Sequence, residues 1–229
     1  LKRRIASISV IHKLKGQYLD IKHPVIMENL HGIKRTLGSR QKSKKPILIN
    51  DLKLIIKVID KDKIRDKALI LIGFAGGFRR SELVNIYKED IEFVSEGVKI
   101  LIKRSKTDQS GEGTIKAIPY FDNQEFCPVL ALKEHISKNL KNNKEDKIFD
   151  ISDKSVALII KRYAKKAGLD ASRYAGHSLR SGFATTAAEF GAEERNIMAM
   201  TGHKTTQMVR RYIQEANLFK NNALNKIKI

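Results

Sequence analysis

The chain has 229 residues, which is enough for one domain of good size and part of another. Its hydrophobic content of 41% is sufficient for a packed core and excludes wholesale disorder. Lys and Arg total 45 against 25 acidic residues, and the formal net charge of +20 favours a polyanionic partner such as nucleic acid, although a Lys-rich composition typical of an AT-rich genome would also raise it.

Several classes of protein are disfavoured by single features of the sequence. Cys127 is the only cysteine, so an intramolecular disulfide is excluded, and its neighbours Phe126 and Pro128 favour a buried packing role. No apolar run reaches the length of a membrane span and no signal peptide is recognisable. The histidines and carboxylates lack the spacing of metal ligands, so we expect no metal and no cofactor. Because the sequence opens on Leu1, we expect a fragment of a longer protein.

Residues 1–45 differ from the rest, with twelve Lys and Arg against two acidic residues. The pattern predicts a helix over residues 4–15, a break at His23 and Pro24, and a second helix over residues 25–34. The polar, basic run over residues 40–46 ends in Pro46 and is the best candidate for a linker. We therefore divide the chain into residues 1–45 and a globular domain over residues 46–229.

Alternation and capping residues predict the elements of the globular domain. Asn50 or Asp51 is expected to cap a helix whose apolar face ends at Ile59, and a second helix is expected over residues 62–75 before Gly76 and Gly77. Two strands, over residues 98–102 and 114–118, flank a polar turn at residues 106–113 and predict a hairpin. From Cys127 onward the pattern is mostly helical. The fold class expected is mainly α with a small antiparallel β-hairpin, that is, α+β.

Four short motifs carry groups that suit phosphate chemistry. Arg79 and Arg80 follow a glycine-terminated helix, and guanidinium groups match phosphate oxygens, although a surface salt bridge is an equally good interpretation of this motif alone. Lys106 lies at the mouth of the hairpin, where a lysine is usually just solvated. The motif His-Ser-Leu-Arg at residues 177–180 places an imidazole and a guanidinium on one helix face, near a helix start that favours anions.

The fourth motif is Thr-Gly-His-Lys at residues 201–204, followed by Arg-Arg-Tyr at residues 210–212. A tyrosine beside a cluster of cations can act as a nucleophile on a phosphodiester, whereas a tyrosine in a basic stretch is often only an edge-packing aromatic. Nothing in this motif alone decides between the two.

In this order the motifs resemble the signature of the tyrosine recombinase or phage integrase family, in an Xer-like arrangement, over about residues 46–215. The resemblance implies that Arg79 and Arg180 grip the scissile phosphate, that Lys106 is the general acid, and that Tyr212 is the nucleophile. It implies that His177 and His203 are the two histidines of the pocket. Glu82 resembles the family's acidic residue that orients its neighbours.

Residues 1–45 resemble, more loosely, the last helices of the family's helical core-binding domain, which clamps the far side of the DNA. The residues expected to contact DNA are all basic: Lys34, Arg35, Arg40, Lys42, Lys44, Lys45 and Arg80. Lys103 and Arg104 lie close to Lys106, so the choice of the general acid stays open at this point.

The resemblance also implies an activity and its partners. A phosphodiester of double-stranded DNA would be cleaved and rejoined through a 3′-phosphotyrosyl bond on Tyr212, without ATP or metal. The enzyme would act as a homotetramer on paired DNA sites. Its location would be the cytoplasm, on the nucleoid. The apolar residues spaced along the tail, residues 217–229, predict a helix that docks on a neighbouring subunit or on its own core. A type IB topoisomerase and a degenerate, non-catalytic DNA-binding relative are the alternatives.

Overall fold

The computed structural model of the chain describes residues 1–38, 44–103, 113–140, 143, 145–217, 219 and 223–227. The chain forms two compact units, Leu1–Ser43 and Lys44–Ile229. The division falls inside the basic segment that the sequence predicts as a linker. None of the described helices is both long and apolar enough to cross a membrane.

The first unit consists of helix α1 (Lys2–Leu14) and helix α2 (Pro24–Leu37). The break predicted at Pro24 is the start of α2, because proline suits the first helical position and His23 caps the helix by accepting a hydrogen bond from the backbone N–H of Val25. No residue of α2 is buried, and Ile11 and Leu14 of α1 are exposed. These two helices therefore form no apolar core of their own.

The second unit carries the remaining α-helices in its described part. They are α3 (Ile49–Lys57), α4 (Ile64–Ala75), α5 (Arg80–Leu83), α6 (Pro128–Asn139), α7 (Asp153–Lys166), α8 (Ser178–Glu189), α9 (Glu194–Thr201) and α10 (Thr206–Asn217). Short 3-10 helices lie at Lys88–Asp90, Gln124–Phe126, Ala171–Arg173 and Ala223–Lys226. The mainly helical class predicted from the sequence is confirmed.

One antiparallel sheet of three strands packs against these helices in the order β1 (Ile91–Val94), β2 (Gly97–Ile102) and β3 (Thr114–Pro119). The predicted hairpin is the β2–β3 pair, with Val98 opposite Ile118. Sequence reasoning missed β1, which pairs with β2 through Ile91 and Ile100. In β1 no residue is fully buried, so the strand lacks the clear alternation on which the prediction of the other two depended.

Helix α4 is the centre of the core. Its residues Ala68 to Ala75 are all buried, and it packs against α6 and α8. A helix that is apolar on every side is typical of such a central position. Asp66 is the buried polar residue of α4, and it accepts hydrogen bonds from the Tyr163 hydroxyl at 2.9 Å and from the Arg65 guanidinium. Cys127 is fully buried, as predicted.

Two local predictions were wrong. Neither Asn50 nor Asp51 caps α3, because the helix begins at Ile49 with Leu48 as its N-cap. Asp51 instead accepts hydrogen bonds from the Lys45 ammonium at 2.8 Å and the Tyr174 hydroxyl at 2.9 Å. In the tail, the described residues 223–226 form a 3-10 helix where an α-helical stripe was expected. The predicted turn at residues 106–112, with Lys106, and the tail residue Leu218 lie outside the described residues.

Candidate active site

Arg79 is placed by the sharp connection between α4 and α5. Gly76 ends α4, and Gly77 has a φ of +54°, a conformation that favours glycine. Arg79 is the N-cap of α5, and Glu82 accepts a hydrogen bond from the Arg79 backbone N–H at 2.9 Å and another from its guanidinium. The same guanidinium donates to the Gly202 carbonyl at 3.3 Å. Glu82 therefore holds the Arg79 side chain in place, and the role in the reaction that the family resemblance implies for Glu82 stays a prediction.

Helix α8 carries the second arginine and the first histidine. His177 is its N-cap, so His177 and Arg180 lie one turn apart at the start of the helix. Arg180 is 2% exposed and donates to the Gly77 carbonyl at 3.0 Å, which brings it to the Arg79 connection. The start of the helix at His177 confirms the element that the sequence predicted there.

Helices α9 and α10 position His203 and Tyr212: His203 comes just after α9, and Tyr212 lies in α10. Gly202 ends α9 with φ 62° and ψ 38°, a left-handed conformation that turns the chain towards His203. Helix α10 rests on α8 and α9 through a small apolar cluster, in which Val209 is fully buried and Tyr212 is partly buried. The Tyr212 hydroxyl lies 3.3 Å from His177 Nε2, and the rings of His203 and Tyr212 are 5.9 Å apart.

Crowded positive charge perturbs the ionisable groups of this pocket. Burial and the neighbouring guanidinium group of Arg79 lower the pKa of Arg180 to about 10. Burial, with Arg180 and Arg79 next in importance, lowers the pKa of His203 to about 4 and the pKa of His177 below its usual range. Both imidazoles are therefore neutral at pH 7, and a neutral imidazole can accept a proton.

Lys116 is a residue of this site that sequence reasoning missed. It is 4% exposed, and its ammonium donates to the carbonyls of Gly76 at 2.7 Å and Met200 at 2.6 Å. Burial lowers its pKa to about 8, against the opposing effect of Glu82. The signal was present in the sequence, because Lys116 and Ile118 lie on the same face of β3 and Ile118 is a core residue.

The two candidate general acids differ in what the structure describes. The Lys103 ammonium forms ion pairs with Asp90, at 2.8 Å, and with Glu89. Hydrogen bonds to these carboxylates raise its pKa far above the usual range, which makes it a poor proton donor. Lys106 lies outside the described residues. Lys103 is thus the weaker of the two candidates.

The residues predicted to contact DNA have different surroundings. Lys34, Arg35 and Arg80 are exposed, and the Arg80 side chain lies against Gly176 and 3.7 Å from Asp153. Lys44 donates to the Ser172 carbonyl at 2.7 Å, and Lys45 pairs with Asp51. Arg40 and Lys42 lie outside the described residues. The DNA contacts themselves stay predictions, and those of Lys44 and Lys45 would compete with these internal bonds.

The pocket thus combines buried cations, two neutral imidazoles and a phenol. Such a set can bind a phosphodiester, stabilise the charge that develops on its oxygens, and supply an oxygen nucleophile beside a base. Among the described residues, no three His, Cys, Asp or Glu side chains are grouped as a metal site. Together with the mainly helical fold, the pocket has the character of a phosphoryl-transfer enzyme that uses a tyrosine.

Comparison with known proteins gives the family. Residues 45–218 match the family described as the phage integrase family. The chain is 42% identical to the integrase/recombinase xerD homolog of Selenomonas ruminantium over 99% of its own length. It is 32% identical to the tyrosine recombinase XerA of Pyrococcus furiosus over 77% of its length. The chain therefore belongs to the phage integrase family of tyrosine-type site-specific DNA recombinases, and it is Xer-like.

Solved structures show the same fold. The XerA recombinase crystal structure aligns with a TM-score of 0.63 over 98% of this chain and 83% of that chain, at 19% identity. The XerH recombinase, solved bound to its palindromic difH substrate, aligns with a TM-score of 0.60 over 78% of this chain and 54% of that chain, at 21% identity. The chain spans 71% of the Selenomonas relative and 63% of the Pyrococcus relative, so these relatives are longer.

Proposed function

We propose that this chain cleaves and rejoins double-stranded DNA, with Tyr212 as the nucleophile. The observation that carries the proposal is the 3.3 Å separation between the Tyr212 hydroxyl and His177 Nε2, within a pocket that also holds Arg79, Arg180 and His203. A neutral imidazole at hydrogen-bonding distance is what a phenol needs in order to lose its proton as it attacks.

In the first step, the Tyr212 oxygen attacks the scissile phosphorus while His177 accepts the phenol proton. The bond from phosphorus to the 5′ oxygen breaks, and Lys106 donates a proton to that oxygen. The products are a 3′-phosphotyrosyl bond and a free 5′ hydroxyl. Arg79 and Arg180 would bind the non-bridging oxygens, and His203 would form a hydrogen bond with one of them, where charge accumulates in the transition state.

In the second step, the 5′ hydroxyl of another strand attacks the phosphorus and gives its proton to Lys106, while the bond from phosphorus to the Tyr212 oxygen breaks and His177 returns a proton to that oxygen. The phosphoester energy is kept in the protein–DNA bond, so the exchange needs no ATP, and the proposed residues supply the positive charge without a metal. The acceptor strand would come from a second DNA site, which makes the reaction a recombination or integration. The place of action would be the cytoplasm, on the nucleoid, since the DNA substrate lies there.

DNA binding would use basic residues of both units. The first unit, which we take to be the end of a core-binding domain, would contribute Lys34 and Arg35, with Arg40 and Lys42 following in the linker. The catalytic unit would contribute Arg80 and, if their internal bonds are exchanged, Lys44 and Lys45. Guanidinium and ammonium groups that bind phosphates position a protein on the duplex without reading its sequence.

We also propose that the tail, residues 217–229, docks on a neighbouring subunit in a tetramer on paired sites. The tail residues Phe219, Leu224 and Ile227 have apolar side chains that are 85%, 67% and 58% exposed. The catalytic unit presents an apolar groove of about 440 Å³, lined by Phe74, Phe183, Phe190 and Met200 among others. A lambda integrase, of similar fold, has been solved as a dimer on its core site.

The test is a comparison of the wild type with Tyr212→Phe, with Tyr120→Phe as the matched control. Host cells that express each variant are lysed in denaturant, and the DNA covalently linked to the protein is recovered and sequenced. We expect wild type and Tyr120→Phe to carry covalent DNA from one class of site, and Tyr212→Phe to carry none while it still retards duplex DNA in a binding assay. Covalent DNA on Tyr212→Phe would disprove the assignment. Supercoil relaxation without paired sites would indicate a topoisomerase instead.

A further inference from the structure

The hydroxyl of Thr201 makes two short contacts. Its Oγ1 lies 2.6 Å from the Ile197 carbonyl oxygen and 2.7 Å from Nδ1 of His203, and the residue is 1% exposed. A carbonyl oxygen has no proton, so the hydroxyl must donate its single hydrogen to Ile197. Towards His203 the hydroxyl can therefore only accept, and Nδ1 of His203 must be the donor.

We infer that Thr201 is a positioning residue that fixes the proton of neutral His203 on Nδ1, so that Nε2 carries a lone pair in the free enzyme. Which nitrogen of a histidine is protonated is set by the partner of the other nitrogen. The consequence for phosphate binding rests on the proposed function, whereas the assignment of the proton to Nδ1 does not.

The groups that face His203 come from every element packed around it. They are Arg79 before α5, Lys116 on β3, His177 and Arg180 at the start of α8, and Tyr212 on α10. Burial and these cations keep the His203 imidazole neutral at pH 7, because they lower its pKa to about 4. A neutral imidazole with its proton on Nδ1 has an acceptor at Nε2, and that nitrogen cannot donate to a phosphate oxygen.

A hydrogen bond from His203 to the scissile phosphate therefore requires a second proton. The phosphodiester brings a negative charge that offsets the surrounding cations, and this raises the pKa of the imidazole. Binding of the phosphate is then coupled to uptake of one proton from solvent at Nε2, and His203 becomes an imidazolium that donates from both nitrogens. Thr201 keeps Nε2 as the site where this proton arrives.

The proton position can be read directly in the free chain. Uniformly ¹⁵N-labelled histidine in the full chain is examined by two-bond ¹H–¹⁵N correlation NMR at pH 7, and the His203 signals are assigned by their loss in His203→Gln. We expect the Nδ1–H form in the wild type and in Thr201→Ser, and its loss in Thr201→Val, which preserves the β-branched shape but has no acceptor. An Nε2–H signal in the wild type, or an unchanged tautomer in Thr201→Val, would overturn the inference.

The proton uptake is tested with inorganic phosphate as the probe. The His203 signals are titrated with pH, with and without phosphate at its highest soluble concentration. The midpoint should move from about 4 towards neutrality in the presence of phosphate. An unchanged midpoint would contradict the coupling.

The kinetic consequence separates a positioning role from a purely structural one. Thr201→Val should slow formation of the covalent DNA adduct by about 10-fold to 100-fold, by analogy with the loss found when the partner that orients a metal-bound histidine is removed, and Thr201→Ser should restore it. Equal losses in both variants would count against the inference. If no variant forms an adduct, wild type included, the proposed function fails while the tautomer measurement still decides the position of the proton.

Discussion

The ammonium of Lys116 lies 4.0 Å from the carboxylate of Glu82, which in turn orients Arg79. The same ammonium joins the carbonyl of Gly76, at the end of α4, to that of Met200, near the end of α9. One buried lysine on β3 thus connects the chain segment before Arg79 with the segment before His203.

Replacement of Lys116 by Met should lower the free energy of unfolding by about 1–3 kcal/mol, because the buried carbonyls of Gly76 and Met200 lose their partner. Urea denaturation measures the change. Lys99→Met is the matched control, since Lys99 lies in β2 with an exposed side chain that pairs with Glu92 at 3.4 Å, and an exposed pair contributes little. A loss as small as that of the control would show that the buried hydrogen bonds of Lys116 are not important for stability.

The stability of the chain should depend on pH through the histidines whose pKa the fold lowers. The folded-state pKa of His203 is about 4, below the 6.5 of an unperturbed histidine, so the unfolded chain binds more protons between these values. The free energy of unfolding should therefore fall as pH falls from about 6.5 to 4, and His135, whose pKa burial also lowers, should add to the fall. Urea titrations at pH 7 and pH 5 measure the slope. His203→Gln should flatten it, and an identical slope in that variant would refute this origin.

The general acid can be identified by changing the leaving group. A DNA substrate with a 5′-thio leaving group needs no proton at the step of bond cleavage, so it should restore cleavage only to a variant that lacks the proton donor. We expect rescue of Lys106→Ala. Lys103→Ala should show no such rescue, because Lys103 is paired with Asp90 and Glu89. Rescue confined to Lys103→Ala would reverse the assignment.

Removal of residues 217–229 should impair assembly on DNA more than it impairs folding of the catalytic unit. Light scattering on complexes with a DNA site recovered from the covalent adduct gives the oligomeric state, and thermal unfolding of the chain gives its stability. Phe190→Glu in the groove should have the same effect as the deletion, since Phe190 is 78% exposed and lines that groove. Leu158→Glu is the control, because Leu158 is also exposed but lies on α7. A tetramer that survives both changes would exclude this docking mode.

The sequence predicted well those elements whose pattern is strong. The central helix α4, the β2–β3 hairpin and the start of α8 at His177 were expected, because uninterrupted apolar runs, alternation and a family motif all identified them. Strand β1 was missed because none of its four residues is fully buried. The cap of α3 was wrong because tertiary contacts with Lys45 and Tyr174 engage Asp51, which local capping rules do not consider.

Within the candidate site, the sequence could name residues but not their partners. Arg79, Glu82, His177, Arg180, His203 and Tyr212 were all expected, and in the structure all of them lie in one pocket. Lys116 was overlooked because a lysine is rarely buried, and its two carbonyl acceptors are 40 and 84 residues away in the chain. The hydrogen bond between Thr201 and His203 forms across the left-handed turn at Gly202. The pattern of residue types does not reveal that the two side chains meet there.

The entry of the chain into the catalytic unit is hydrogen-bonded to the 3-10 helix at Ala171–Arg173 and to the start of α8, the helix that carries Arg180. The Lys45 N–H donates to the Arg173 carbonyl, the Ile47 N–H donates to the Ser178 carbonyl, and a Cβ on Gly182 would lie 2.0 Å from the Ile47 oxygen. Anyone who builds chimaeras by exchanging the first unit between recombinases should therefore place the junction before Lys44. A crossover at Pro46, where the composition changes, would replace Lys45, whose ammonium pairs with Asp51 at 2.8 Å inside the catalytic unit.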